Sequence, residues 1–221
     1  MKDALRLARH EWSLVLREPR FLVPFAVAPA FVLALQAAVL FLLPPDPAAQ
    51  ALLARSFLSV LSLIGASMAV PLSADAFAGE KERRTWETLL CLPLPRNSLF
   101  FGKVLGILPF PLLAGWAGQA AALALWALRG YAPSGATAPL LLTPFLAFFF
   151  CALSALVSLR CETVRSAAQI TGLCLLLLFP AVMLASQTVL GNPAALGGAL
   201  ALLGAGAAIC FALAARRLRA T

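Results

Sequence analysis

Long apolar runs recur along this chain, and they constrain its fold more than any other feature of the sequence. Six runs can be drawn, each about 20 residues long, which is the length that an α-helix needs to cross a bilayer core of roughly 30 Å. The runs lack the strict alternation of a membrane β-barrel. The sequence therefore predicts an all-α polytopic membrane protein with six transmembrane helices, at 21–43, 57–76, 104–128, 140–159, 167–190 and 195–215.

The few charged residues predict how these spans are oriented. Only 12% of the chain is charged, and 15 of its 17 Lys and Arg residues fall on one side of the predicted membrane. Arg55 and Arg129 are the two on the other side. By the positive-inside rule, both termini are cytoplasmic, as in a multi-pass protein of the inner membrane. The net charge of +8 therefore reflects topology, and we expect no nucleic-acid partner.

Residues 1–20 form a basic amphipathic segment that precedes the first span. A basic polar face opposite an apolar face with a Trp predicts an interfacial helix in the plane of the lipid headgroups. Pro19 marks the turn into the transmembrane domain, residues 21–221. The apolar face comprises Leu5, Ala8, Trp12, Val15 and Leu16, and the polar face comprises Lys2, Arg6, Arg9, His10, Ser13 and Arg17.

The sequence carries no motif for catalysis, a cofactor or a metal. It contains no G-x-x-x-x-G-K-[ST] pattern, so we expect no nucleotide site in this chain. The single histidine, His10, lies in the interfacial segment, which disfavours a Ser-His dyad or an H-E-x-x-H metal site. The five cysteines show no CxxC spacing and are expected to be free.

Polar residues within the spans leave two interpretations open. They can line a substrate pathway or form hydrogen bonds between helices, and the second role is favoured. Asp75 lies at the cytoplasmic end of the second span, where we expect a structural role. The fifth run contains Pro180, so 181–193 is either a re-entrant helix or the continuation of a kinked span. The glutamines concerned are Gln36, Gln119, Gln169 and Gln187.

Five consecutive charged residues, 80–84, follow the second span. Each charge costs about 2.5–3.5 kcal/mol at the centre of a membrane helix, so this segment is expected in the cytoplasm. Pairs of opposite charge four residues apart and an apolar stripe predict an amphipathic helix that ends at Pro93 and suits docking to a soluble partner. A solvated loop is the alternative. The pairs are Glu80 with Arg84 and Arg83 with Glu87, and the stripe is Trp86, Leu89 and Leu90.

The segment 78–106 resembles the signature of the type-2 ABC exporter permeases. That family has a Glu-x-Glu-Arg-Gly-Thr-x-Glu-x-Leu-Leu-x-x-Pro pattern after its second span, followed by a Gly-Lys that begins the third. Arg84 stands where the family usually has glycine, so we expect a straighter local backbone. The N-terminal "LREPRFLVPFAVAP" is similar to the segment that leads into the family's first span. The matching residues are Glu80, Glu82, Arg83, Thr85, Glu87, Leu89, Leu90, Pro93, Gly102 and Lys103.

The resemblance implies a permease homodimer that binds two copies of a cytoplasmic ABC ATPase and exports a substrate along a path at the dimer interface. ATP and Mg²⁺ would be bound by the ATPase, and this chain would not be an enzyme. Segment 79–97 would be the coupling segment, with the coupling helix around Glu80 to Leu92, and residues 1–20 would be the elbow helix. The residues implied in ATPase coupling are Glu80, Glu82, Arg83, Arg84, Trp86, Glu87, Leu89 and Leu90.

Other functions fit the same topology. The haem exporter permease of cytochrome c maturation is similar in length and has a stretch like "LLCLPLP", although the charged run 80–84 favours the general exporter family. An ion-coupled carrier or a channel has only Asp75 in its favour. A membrane assembly factor without transport is the remaining alternative.

Overall fold

The chain is described here by a computed structural model, which covers residues 11–13, 15–16, 19–42, 47–85, 88, 91, 96–131, 137–189 and 192–220. Within these ranges nearly every residue is helical and no strand occurs, which confirms the predicted all-α fold. The helices are α1 (Pro19–Leu42), α2 (Pro47–Ser67), α3 (Ala69–Ala74), a π-helical turn (Asp75–Gly79), α4 (Glu80–Glu82), α5 (Arg96–Ile107), α6 (Pro109–Leu128), α7 (Thr137–Ser158), α8 (Val164–Val189) and α9 (Pro193–Ala220).

Among the described residues, five helical stretches are long and apolar enough to cross a membrane. The stretch that corresponds to the second predicted span is the longest, at 34 residues, because α2, α3, the π-helical turn and α4 follow one another without a loop. The fifth predicted span corresponds to α8, in which the described side chains form a shorter apolar stretch, Val164–Pro180. The stretches are Val23–Leu42, Ala49–Glu82, Leu99–Leu128, Thr137–Ser158 and Ala194–Arg217.

Pro109 and Pro180 have different effects on the helices that contain them. The third predicted span is interrupted near its beginning, since α5 ends at Ile107 and α6 begins at Pro109. A proline at the first helical position is tolerated because its missing N–H would have no intrahelical partner. By contrast, α8 runs through Pro180 to Val189 without a break. The structure thus shows a continued helix in place of a re-entrant segment.

Helices α2 and α7 form the centre of the bundle. Helix α2 packs on α6 and α7, and α7 packs on α9. Gly65 allows the closest approach, because a Cβ at this position would overlap the backbone of Gly115 in α6. Small residues permit this contact between membrane helices, where packing rather than the hydrophobic effect drives association.

A buried hydrogen-bond network joins helices α2, α6 and α7. The amide of Gln119 donates to the carbonyls of Leu58 and Pro139, each at 3.2 Å, and also contacts Ser62. The Thr143 hydroxyl donates to the Ser62 hydroxyl at 3.1 Å. The network is fully buried and satisfied by protein groups, which favours helix packing over a pathway for this glutamine.

The other three glutamines have different surroundings. Gln36 is fully buried and donates to the Ala122 carbonyl at 3.2 Å, so it also joins helices, here α1 and α6. Gln169 is exposed on α8 and therefore does not line the interior of this chain. The side chain of Gln187 lies outside the described residues.

Candidate functional site

The charged run lies at the end of the long second span, where the chain leaves the helix in a tight cap. The backbone N–H of Thr85 donates to the Glu80 carbonyl at 2.9 Å, and that of Arg84 donates to the Lys81 carbonyl at 3.0 Å. This pair of bonds is the Schellman arrangement, which requires a left-handed residue after the helix. Arg84 supplies it, with φ of 57°.

Two sequence expectations are therefore wrong. The backbone at Arg84 is not straighter than a glycine would make it, because Arg84 itself adopts the conformation that favours glycine. The predicted helix from Glu80 to Pro93 is also not continuous, since α4 ends at Glu82 and residues 83–85 form a turn. Arg84 has left the helical register on which the predicted pair with Glu80 depended.

Glu80 instead contacts a buried lysine of α5. The Lys103 ammonium lies 3.4 Å from Glu80 and 2.8 Å from Glu11 in the N-terminal segment. The Lys103 side chain is only 1% exposed, whereas those of Glu11 and Glu80 are 11% and 21% exposed. Burial of an ammonium group is tolerated only when carboxylates compensate for its lost hydration. This triad therefore ties the N-terminal segment, α4 and α5 together.

Lys81 binds the end of α7. Its ammonium donates to the carbonyls of Ser158, Leu159 and Cys161, at 3.3, 2.6 and 3.3 Å. The last carbonyls of an α-helix have no intrahelical partner and carry the negative end of its dipole. Lys81 satisfies these groups and so attaches α4 to the loop between α7 and α8.

Glu82 binds the beginning of α8. Its carboxylate accepts a hydrogen bond of 3.0 Å from the backbone N–H of Val164, the first residue of that helix. Thr163 caps the same helix through the N–H of Ser166 at 3.2 Å. A carboxylate is favoured at a helix N-terminus by the exposed N–H groups and the helix dipole. Glu82 thus connects α4 to α8.

Arg83 folds back on its own span. Its guanidinium donates to the Asp75 carboxylate at 3.3 Å, across the π-helical turn. The Arg83 side chain is 53% exposed, so this ion pair is screened by solvent and contributes little stability. The contact agrees with the structural role that the sequence predicts for Asp75.

Four consecutive residues, 80–83, therefore contact four different parts of the fold. We call this group, with Glu11, Asp75 and Lys103, the charged junction. A rigid element that contacts several helices can move them together if it is displaced. Its chemistry is that of ion pairs and helix caps, and the described residues include no group of three or more His, Cys, Asp or Glu side chains that could hold a metal.

The structure brings together only part of the predicted coupling set. Glu80, Glu82 and Arg83 belong to the charged junction, and Arg84 is exposed beside it. Thr88 and Cys91 are described and exposed further along the segment. The remaining predicted residues, Trp86, Glu87, Leu89 and Leu90, lie outside the described residues.

Sequence reasoning missed three members of the site. Lys81 counts there only as a positive charge on the cytoplasmic side, and Lys103 only as such a charge and as the lysine of the family signature. Glu11 lies on neither of the two faces assigned to the N-terminal helix. An acidic residue in the middle of a basic amphipathic segment is a signal that could have indicated a buried partner. Val15, four residues after Glu11, is also buried, whereas Trp12 and Leu16 are exposed. The face toward the bundle is therefore the one that carries Glu11.

These features define a polytopic α-helical membrane protein whose spans are joined at one end by a charged junction. The sequence matches the ABC-2 family transporter protein over residues 5–197 of 221, and the chain belongs to this family. It is a permease subunit of an ABC transporter, as the pattern after the second span indicates. A comparison with curated proteins finds no match.

Proposed function

We propose that this permease exports its substrate from the cytoplasm across the inner membrane, driven by two copies of a separate cytoplasmic ABC ATPase. The absence of a P-loop pattern from the sequence supports a partner that binds ATP and Mg²⁺. The bias of Lys and Arg supports cytoplasmic termini and a charged junction on the side of that partner.

The charged junction is the observation that carries this proposal. Lys81 and Glu82 contact opposite ends of the loop between α7 and α8, while Glu80 contacts Lys103 of α5. A push on the segment that follows α4 therefore reaches three helices through direct polar contacts. Such an element can convert closure of two ATPase subunits into a change in the positions of the helices. This would couple ATP hydrolysis in the partner to a conformational change in the membrane.

The junction and the docking surface have separate roles in this mechanism. Residues 80–83 are engaged within the chain, so their role is to transmit movement. Thr85, Thr88 and Cys91 are exposed beyond the left-handed turn and lie where a soluble partner can reach them. The predicted apolar stripe that contains Trp86 would provide the affinity for the ATPase, since buried aromatic residues dominate protein interfaces.

Exposed apolar residues support a second copy of the permease or lipid around the bundle. Leu176 and Leu177 of α8 are 65% and 78% exposed, and Leu202 and Ile209 of α9 are 76% and 60% exposed. In a membrane these side chains contact acyl chains or another helix. A homodimer with two ATPase subunits is the arrangement that we propose.

Two kinds of variant test this function. Trp86→Ala should abolish co-purification of the permease with its ATPase, because it removes the docking anchor. Glu82→Gln should retain co-purification but reduce the effect of the permease on the rate of ATP hydrolysis, because it weakens transmission to α8. Asp46→Asn is the matched control, since this acid lies in the sequence between the first two predicted spans, on the side of the membrane opposite the charged junction. Normal binding and normal ATP hydrolysis in both test variants would refute the proposal.

A further inference from the structure

Two adjoining cavities lie between α1, the long second span and α8. One, of about 270 Å³, is lined by Asp75, Gly79, Glu82, Arg83 and Val164. The other, of about 180 Å³, shares Asp75 and Val164 with the first. Ligand pockets in proteins typically have volumes of about 300–1,000 Å³, so the two together have room for a small ligand.

The walls of the first cavity include charged side chains, with an excess of negative charge. Asp75 and Glu82 contribute two carboxylates, and Arg83 contributes one guanidinium. Its walls therefore carry a net negative charge, which favours a cationic group on a ligand. A primary amine is suited to this position, because an ammonium group donates charge-assisted hydrogen bonds to carboxylates.

The second cavity is apolar except where it meets the first. Its further walls are Pro24 and Phe25 of α1, Met68, Pro71 of α3 and Ala168 of α8. Met68 precedes Asp75 by seven residues in the same helical run, a rise of about 10 Å toward the interior of the membrane. Neighbouring α1 residues Val23 and Val27 are 58% and 59% exposed, so this side faces lipid. Polarity therefore decreases along the cleft from the charged junction toward the bilayer interior.

We infer that this cleft binds an amphiphile with a protonated amine head and an apolar tail. The head lies against Asp75 and Glu82, and the tail lies between α1 and α8. Because these two carboxylates also belong to the charged junction, a bound amine contacts the element that transmits movement. The statement that such an amphiphile is the substrate rests on the proposed function. The statement that it binds in this cleft rests on the two cavities alone.

The test measures binding to the full-length permease with its ATPase in lipid nanodiscs. The probe is dodecylamine with a diazirine in its chain, and the comparison probe is the dodecanol analogue. The amine should bind at least tenfold more tightly than the alcohol and should crosslink to α1 or α8. Asp75→Asn should weaken amine binding about tenfold, the effect of one charge-assisted hydrogen bond, and leave alcohol binding unchanged. Glu82→Gln is a second test, because it removes the other negative charge from the cavity wall and should likewise weaken amine binding.

Variants of the apolar wall complete the design. Ala168→Trp fills the apolar cavity and should weaken binding of both probes, whereas Ala208→Trp, at an exposed position of α9, should change neither. Asp46→Asn, between the first two predicted spans, is the matched control for the acidic variants. Equal binding of amine and alcohol to the unaltered protein, or equal effects of the test and control variants, would overturn the inference.

The same preparations distinguish the source of the ligand and the two proposals. Native mass spectrometry without added probe should detect phosphatidylethanolamine, lost in Ala168→Trp, if the amine comes from a bilayer lipid. Binding of the added amine alone indicates a soluble amphiphile. Amine binding without ATPase association refutes the proposed function but is consistent with an amphiphile site in the cleft. ATPase association without amine selectivity refutes the cleft alone.

Discussion

Replacement of Lys103 by methionine removes the cation at the centre of the charged junction and leaves two carboxylates close together. Lys103 is almost fully buried, and it contacts Glu11 at 2.8 Å and Glu80 at 3.4 Å. Removal of one partner of a buried ion pair typically costs about 3–5 kcal/mol, because the other charge stays in a medium of low polarity. Glu11 and Glu80 keep some contact with solvent, so we expect a loss near the lower limit, about 3 kcal/mol.

A double-mutant cycle separates the two contacts of Lys103. Glu11 is both closer to the ammonium and less exposed than Glu80, so the coupling energy of Lys103 with Glu11 should be the larger, about 2 kcal/mol. The coupling energy with Glu80 should be below about 1 kcal/mol, because solvent screens the longer pair. The combination of Lys103→Met with Glu11→Gln should therefore cost less than the sum of the single changes.

The free energy of unfolding can be measured by titration of the purified permease with SDS in mixed micelles, with helical circular dichroism as the signal. Arg216→Met is the control, since this exposed cation near the end of α9 is outside the charged junction. A Lys103→Met variant as stable as the unaltered protein, or strictly additive effects in the cycle with Glu11, would refute the account of the junction.

Three further predictions concern backbone and packing, and the same unfolding assay tests each. Arg84→Gly should stabilise the protein by about 1 kcal/mol, because glycine adopts the left-handed conformation without a Cβ penalty, and Arg84→Ala should bring no such gain. Gly65→Ala should destabilise by about 1–3 kcal/mol, since the new methyl group would overlap the α6 backbone, whereas Gly172→Ala meets open space and should be neutral or stabilising. Gln119→Leu should cost about 1–2 kcal/mol through the lost interhelical hydrogen bonds, and Gln169→Leu, at an exposed position, should be close to neutral. Equal effects of the test and control substitutions would contradict the packing argument.

The general fold could be predicted from the sequence because the length and hydropathy of a membrane helix are properties of local segments. The predicted span 140–159, for example, corresponds closely to α7, Thr137–Ser158. The end of the second span was harder to place, because α4 and the π-helical turn continue a helix past the apolar run. Charged residues there remain helical because each of them has a partner.

The charged junction could be predicted only in part. Hydropathy and charge locate residues 80–84 at the membrane surface, but they do not reveal which helix each side chain contacts. Lys81 meets carbonyls 77 to 80 positions away, and this proximity depends on how α7 packs against the second span. The glycine usual at the position of Arg84 was a signal of a left-handed residue. The arginine at this position predicts a straighter backbone, but the hydrogen bonds of the helix cap hold residue 84 in the left-handed conformation.

The most direct test of the central claim is hydrogen–deuterium exchange of the loop 159–163 in the permease–ATPase complex. The claim is that the charged junction transmits movement from the ATPase to the helices. Trapping with ATP and vanadate should change exchange in this loop relative to the nucleotide-free complex. Lys81→Met should reduce that change while the ATPase stays bound, because Lys81 is one of the two contacts of α4 with this loop and Glu82 retains the other. An unchanged loop in the unaltered complex, or the same change in Lys81→Met, would contradict the account.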